Sequence, residues 1–348
     1  MTDISVLRIL DASANRTREG LRVLEDYVRF ILDDRFLTAE IKSVRHRLTE
    51  ALAGIESAHL LLARETQQDV GTRLTEPSEA VRQNDQEVLA ANFHRVQEGL
   101  RSLEEWGKLH SATLAQTAKQ LRYHVYTLQR AVVITGESLD RLGQARLYVL
   151  VDGAADEDQF RQKVARLVAV GVPMLQLRDK RLPDRMLLAR ARLLRQATQG
   201  TSTLCIINDR PDLALLTQAD GVHLGQEDMP VKEARRIVGP DRLIGVSTHS
   251  LPQAQQAVLD GANYIGLGPT FASTTKQFAE LAGLELLRQA AGQLRLPAFA
   301  IGGIRLENLP QVLQTGIRRV AVQAAIWTAA DPGAEAQKFL AALSQPAQ

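Results

Sequence analysis

The chain has 348 residues, more than one small domain needs, so two domains are expected. At 45% hydrophobic and 24% charged residues its composition is that of a globular protein, which excludes long disorder and collagen-like repeats. A net charge of +2 advertises no nucleic-acid face, and the single cysteine, Cys205, excludes an intramolecular disulfide and a cysteine-based zinc site.

The N-terminal stretch MTDISVLRILDASANRTREG carries Asp3 and Asp11 and lacks the apolar core of a signal peptide. No apolar run is long enough to span a bilayer, and a reducing cytoplasm is the expected setting. Up to residue 143 Gly and Pro are sparse and apolar residues recur at helical spacing, which predicts an all-helical domain over 1–143. That domain holds an internal repeat: residues 16–27 read RTREGLRVLEDY and residues 95–106 read RVQEGLRSLEEW. A weaker echo sets Lys42 and Arg45 against Lys119 and Arg122. Leu21, Leu24, Val28 and Ile31 mark the apolar stripe of one copy, and Leu100, Leu103 and Trp106 that of the other. Two helix hairpins about a pseudo-twofold are expected. A glycine inside a helix costs about 1 kcal/mol relative to alanine, so Gly20 and Gly99 predict a close approach of two helix backbones. Arg16, Glu19 and Arg22 would then face Arg95, Glu98 and Arg101, enough charge for an anion-binding cleft. Ion pairs along each helix surface are the plainer reading of the same residues.

The polar stretch ESLDRLGQA, 137–145, marks the joint. Beyond it, short β-branched runs alternate with helical stretches. Strands are predicted at 146–151, 173–178, 203–208, 220–224, 243–247, 263–267, 297–301 and 318–323. Eight such strands in roughly 200 residues predict an α/β fold, a (β/α)8 TIM barrel over 144–348. A doubly wound open sheet is the alternative, but VDGAADEDQF after the first strand lacks a glycine-rich dinucleotide loop.

In such a barrel function sits at the carboxyl ends of the strands. After strand two, Gln176, Arg178 and Lys180 of QLRDK alternate and point one way, a cationic face suited to a diphosphate; a solvated strand end would look the same. After strands three and four come Asn208, Asp209 and Asp228. Two carboxylates on adjacent strand ends suit Mg²⁺ shared with substrate phosphates, although a turn residue and a helix cap are equally open. His223 falls on strand four and reads as a core or rim histidine, and Cys205 as core. Ser247 follows strand five. Ser273, Thr274, Thr275 and Lys276 follow strand six on a loop with the makings of a lid. Gly302 and Gly303 follow strand seven, where glycines let backbone N–H groups reach a phosphate. No Ser–His or Cys–His nucleophile pair is evident.

QLRDK, INDRPDLALLTQADGVHLGQEDMP, GVSTHS, IGLGPTFASTTK and AIGGI, in this order, resemble the thiamine-phosphate synthase family over about residues 145–343. The resemblance implies a transferase of thiamine biosynthesis that joins a hydroxymethylpyrimidine diphosphate to a thiazole phosphate and releases diphosphate. It implies that Gln176, Leu177, Arg178, Asp179, Lys180, Asn208, Ser247 and Lys276 hold the pyrimidine diphosphate. Asp209 and Asp228 would bind Mg²⁺, while Ser273, Thr274, Thr275 and Gly303 would contact the thiazole phosphate. Arg178, Lys180 and Lys276 would stabilise the leaving charge as the catalytic residues. After strand eight the family reads V-I-S-A-I; here VQAAI, 322–326, puts Gln323 and Ala324 at the phosphate-contacting positions and removes a hydroxyl. Through EGLRVLEDY, DVG at 69–71 and the second EGLR, the helical domain resembles an extension found before the synthase in some members. That extension is related to a family assigned to pyrimidine-phosphate phosphorylation, but no Walker-type phosphate loop is present. A metal-free thiazole tautomerase of the same barrel family is a rival reading, disfavoured by Asp209, Asp228, Arg178 and Lys180; a non-catalytic ligand-binding protein of thiamine metabolism is another. Expected partners are the two phosphorylated substrates and, at most, further copies of the chain as a homo-oligomer; nucleic acid and membranes are not expected.

Overall fold

The computed structural model describes residues 3–65, 81–272 and 281–344. It divides into two compact units, Met1–Val132 and Val133–Gln348. DVG at 69–71 and Ser273, Thr274, Thr275 and Lys276 lie outside the described residues.

The first unit contains α1 (Ile4–Phe30), α2 (Arg35–Leu52), α3 (Ser57–Ala63), α4 (Asp85–Gly107) and most of α5 (Ala112–Leu142). Asp3, Asp34 and Asn84 cap α1, α2 and α4, each side chain accepting a backbone N–H of the first turn. Short loops join α1 to α2 and α4 to α5, giving the two expected hairpins, and α3 is an addition the repeat does not signal. The repeated glycines mark where α1 and α4 touch. A Cβ on Gly20 would lie 2.7 Å from Val96 Cγ2, and one on Gly99 2.2 Å from Thr17 Oγ1. Thr17 and Val96 hold equivalent places in the two repeats, so one close approach is made twice.

The repeated charges divide by burial. Glu25 and Glu104, also equivalent, are buried. Arg45 reaches Glu25 at 3.1 Å and Arg122 reaches Glu104 at 2.8 Å, which gives the weak basic echo its purpose. Arg22 and Arg101 were expected to face each other across a cleft. They lie instead against Glu25 and Glu104 of their own helices, at 3.6 and 3.0 Å. A buried carboxylate left unpaired is costly, and the arginine three positions earlier on its helix supplies a second cation beside the one from the neighbouring helix. Burial opposes the charge of Glu104, but Arg122 and Arg101 outweigh it and hold the carboxyl below its ordinary range.

The second unit begins within α5 and continues β1 (Leu147–Val151), α6 (Glu157–Ala169), β2 (Met174–Leu177), α7 (Asp184–Thr198), β3 (Leu204–Asn208), α8 (Pro211–Leu216), β4 (Gly221–Leu224), α9 (Val231–Val238), β5 (Leu243–Thr248), α10 (Leu251–Asp260), β6 (Tyr264–Leu267), α11 (Gly283–Gln293), β7 (Ala298–Ile301), α12 (Leu309–Leu313), β8 (Val320–Val322), α13 (Ala324–Trp327) and α14 (Pro332–Ser344). Every strand pairs in parallel with the next, and Leu147 to Val149 of β1 pair with Val320 to Val322 of β8. That pairing closes the barrel and excludes the open sheet. Side chains alternate across each strand. Tyr148, Leu150, Met174, Ile206, Leu243, Tyr264, Phe299 and Ala321 fill the barrel, while Val149, Leu175, Ile207 and Val222 are buried on the other face. Leu142 and Ala145 pack into the same core. The polar joint is therefore partly helix: α5 runs through it until Leu142 is buried. Among the described residues no helix is long and apolar enough to cross a membrane.

Candidate active site

The carboxyl ends of the strands surround a cavity of about 570 Å³. Arg178 and Lys180 enter from the loop after β2, Asn208 and Asp209 from the end of β3, and Asp228 from the loop after β4. Ser247 on β5, Gly302 and Gly303 after β7, and Gln323 and Ala324 after β8 complete the wall among the residues singled out from sequence.

Local backbone geometry aims the carboxylates. Asp209 has a positive φ of 62°, and the N–H of Arg210 bonds the carbonyl of Asn208 across it at 2.8 Å. This is the rarer, strained form of γ-turn, and aspartate is among the few residues that tolerate such a φ. The turn ends β3 abruptly, and Pro211 then starts α8. Asp228 caps no helix. Its Oδ2 accepts the N–H of Gly225 at 2.6 Å, closing the loop after β4 on itself. The two carboxyls stand within hydrogen-bond reach of each other, and Lys180 Nζ lies 2.9 Å from Asp209 Oδ2. Burial, then the neighbouring Asp228, raise the pKa of Asp209 above its ordinary value; Lys180 opposes this only in part. Two carboxyls held this close, one of them resisting ionisation, are a hard-oxygen pair suited to a divalent cation. Among the described residues no cluster of three metal-ligating side chains exists. Two protein carboxylates, with substrate phosphates and water completing the shell, match how Mg²⁺ is commonly held.

The glycines after β7 serve the wall first. Gly302 and Gly303 have φ of 102° and 63°. A Cβ on Gly303 would lie 2.5 Å from the carbonyl oxygen of Ala272, and one on Gly302 2.9 Å from Pro269 Cα. The β6 and β7 loops can pack this tightly only without side chains at those positions.

Three residues of the QLRDK segment take other places. Gln176 lies below the mouth, fully inside the barrel, and Leu177 is buried on the opposite face of β2. Asp179 holds the loop, accepting the N–H groups of Gly153, Arg181 and Leu182 at 3.1, 2.8 and 3.2 Å. Burial works against its charge, but these three bonds and Arg181 keep its carboxyl below the ordinary range. His223 is buried, with Nε2 2.9 Å from Ser247 Oγ. Glu227, His249 and Arg305 also line the mouth and were not singled out from sequence. Arg305 had a signal, a cation two residues beyond the Gly302–Gly303 turn; His249, whose Nδ1 meets the carbonyl of Gly268, had only its place in GVSTHS.

Residues 147–326 match the family described as thiamine monophosphate synthase, and residues 8–131 match the ThiD2 family. A thiamine-phosphate synthase from Gloeobacter violaceus is 45% identical, covering 98% of this chain and 97% of its own. One from Rhodopirellula baltica is also 45% identical, covering 92% of this chain and 88% of its own. Among solved structures, thiamine phosphate pyrophosphorylase from Pyrococcus furiosus is 35% identical with a TM-score of 0.52, covering 58% of this chain and 98% of that one.

Proposed function

This chain belongs to the thiamine monophosphate synthase family, and we propose that the mouth of its barrel is where the synthesis takes place. The enzyme is a transferase of thiamine biosynthesis. It joins a hydroxymethylpyrimidine diphosphate to a thiazole phosphate, and the products are thiamine phosphate and diphosphate.

The reaction breaks the pyrimidine methylene C–O bond. The electron pair leaves with the diphosphate, and the thiazole nitrogen supplies the pair for the new C–N bond. No general base is required, which agrees with a mouth rich in cations. Arg178 and Lys180 hold the diphosphate and stabilise the charge that grows on it; Lys276 belongs with them by its place in the sequence. Lys180 is half-exposed, so its ammonium can move from Asp209 to a phosphate oxygen. Asn208 and Ser247 orient the pyrimidine. The backbone at Gly303, Gln323 and Ala324 anchors the thiazole phosphate, Ser273, Thr274 and Thr275 belonging with them by their place in the sequence, and this placement replaces a bimolecular encounter by a held geometry. Asp209 and Asp228 would hold Mg²⁺, which when bound adds positive charge against the leaving diphosphate. The Asp209–Asp228 carboxyl pair, lining one cavity with Arg178 and Lys180, carries this reading. Incubation of the purified protein with both substrates and Mg²⁺, reading thiamine phosphate, tests it; no product refutes it. Both substrates carry phosphate, which retains them in the compartment that makes them, and we propose the cytoplasm as that compartment.

For residues 1–143 we propose a pyrimidine-phosphate-related role, with 144–348 as the synthase domain. Support comes from a cleft of about 680 Å³ beside the α1–α4 contact, lined by Arg16, Arg82, His94, Arg95 and Glu98. Neither Arg16 nor Arg95 is ion-paired among the described residues. Titration of the full chain with the pyrimidine monophosphate, repeated on Arg16→Ala/Arg95→Ala and on Arg178→Ala, separates this cleft from the barrel mouth. Heat that survives the first substitution and vanishes with the second removes the proposal.

A further inference from the structure

Below the mouth, the barrel interior holds a second cavity of about 60 Å³, bordered by Tyr148, Gln176, His223, Ser247 and Tyr264. Barrel interiors are ordinarily packed with branched apolar side chains. Here five polar side chains from five strands join end to end. The amide Nε2 of Gln176 meets the hydroxyl of Tyr148, and that hydroxyl lies 3.0 Å from the hydroxyl of Tyr264. The Tyr264 hydroxyl lies 3.3 Å from His223 Nδ1, and His223 Nε2 lies 2.9 Å from Ser247 Oγ. Gly245 makes the middle of this chain possible, since a Cβ there would lie 2.1 Å from Tyr264 Cζ and 2.5 Å from His223 Nδ1. One end is unfinished: Gln176 Oε1 is buried without a hydrogen-bond partner. The other end, Ser247, borders both this cavity and the mouth.

Proton counting restricts the chain. Each hydroxyl carries one hydrogen, and a neutral imidazole donates from one nitrogen and accepts at the other. His223 is buried with a phenol at one ring nitrogen and a hydroxyl at the other, no carboxylate among the described residues bonded to either, and the ordinary imidazole is already mostly neutral at neutral pH. With every buried hydroxyl hydrogen used inside the chain rather than left unpaired, all bonds point the same way. In one direction Gln176 donates to Tyr148, Tyr148 to Tyr264, Tyr264 to His223 Nδ1, and His223 Nε2–H to Ser247. Gln176 Oε1 is then left as an acceptor and the Ser247 hydrogen as a donor. In the other direction both ends are inverted. The two ends thus change together, although three side chains separate them.

We propose that Tyr148, Tyr264 and His223 are positioning residues. Their hydrogen-bond chain runs from Gln176 to Ser247, so that Gln176 presents an acceptor and Ser247 a donor to a ring edge bearing an amine beside a ring nitrogen. An aminopyrimidine has such an edge, and reading both atoms through one chain makes the two contacts cooperative. The inference rests on the barrel mouth being the pyrimidine site.

The test uses the full chain. In protein labelled with ¹⁵N-histidine, the signal assigned by its loss in His223→Gln is expected to be a neutral ring protonated on Nε2. Tyr264→Phe removes the donor to Nδ1 with little change in shape. It is expected to abolish that tautomer preference and to raise KM for the pyrimidine diphosphate about five- to tenfold, leaving KM for the thiazole phosphate unchanged. Tyr148→Phe is expected to raise the same KM through Gln176 alone, with the His223 tautomer retained. A wild-type His223 protonated on Nδ1 overturns the proposal without needing any variant. So does a Tyr264→Phe enzyme whose two KM values stay level or rise together. Wild-type turnover of both substrates in the same assay keeps the site reading intact in either case; its absence would remove the reading itself.

Discussion

Gly245→Ala tests the packing beneath the active site most directly. The glycine sits on the inward face of β5, and an added Cβ would lie 2.1 and 2.4 Å from Tyr264 Cζ and Cε2 and 2.5 Å from His223 Nδ1. Tyr264 is fully buried and His223 nearly so, which leaves neither ring an open direction of retreat. Overpacking of a rigid core costs about 1–3 kcal/mol, and three contacts this short belong at the upper end. Parting Tyr264 from His223 adds about 1 kcal/mol. Replacing a strand glycine recovers about 0.5–1 kcal/mol. The net expectation is a loss of about 3 kcal/mol, or roughly 6–12 °C in Tm for a barrel of this size. Gly266→Ala is the control, because its nearest neighbour would be His223 Cε1 at an ordinary 3.6 Å; its Tm is expected within about 2 °C of wild type. Calorimetric scans that resolve the barrel transition provide the measurement. Equal Tm values for Gly245→Ala, Gly266→Ala and wild type would show that the interior yields where the geometry says it cannot.

Asp209→Ala or Asp228→Ala is expected to lower kcat by about two orders of magnitude or more, since the leaving diphosphate loses charge compensation; full wild-type activity in excess EDTA would contradict this. Because the folded-state pKa of Asp209 is raised, its contribution to stability is present below the ordinary carboxylate range and lost as pH rises through the raised value. Mg²⁺ binding requires that proton to leave, so the Mg²⁺-induced rise in Tm is expected to be larger at pH 7.5 than at pH 5; the reverse order counts against a carboxylate site. His223 has the opposite sign: its folded-state pKa is depressed to about 4, so its contribution is present above about 6.5 and lost as pH falls toward 4. His223→Gln is expected to flatten that acid limb of the stability profile. A chain beginning at Val133 is expected to fold and turn over both substrates, whereas one beginning at Gln144 loses the buried Leu142 and about 2–5 kcal/mol; equal urea midpoints for the two would refute the assignment of Leu142 to the barrel core.

Much of the architecture was legible because periodicity reports burial. Each β-branched run became a strand within a residue or two of its expected ends. The EGLR repeat announced its helix contact through glycines that a stable helix would otherwise avoid. At 137–145 polarity signals an exposed helix face as readily as a linker, and only the burial of Leu142 shows that α5 runs on to the turn at Gly143. Arg178, Lys180, Asn208, Asp209, Asp228 and Ser247 could be expected to line one cavity, as they do, because strand ends converge in a barrel, so residues far apart in sequence needed only to sit at equivalent positions. Leu177 and Asp179 came in with their motif, although alternation along β2 sends one to the outer face and three backbone N–H groups hold the other.

The order of elements, the close approach of the two repeats, and the kinds of groups that ring the mouth can all be read along the chain. These depend on local period and on chain order, which a sequence carries in full. Tertiary structure alone decided that Glu25 and Glu104 would be buried and draw Arg22 and Arg101 onto their own helices. It alone decided that Asp209 and Asp228 would come close enough to share a proton, and that Tyr148, Tyr264 and His223 would meet inside the barrel. Those outcomes depend on distances between side chains from different strands and helices, and in low-dielectric surroundings a few ångströms decide whether two charges repel, pair or exchange a proton.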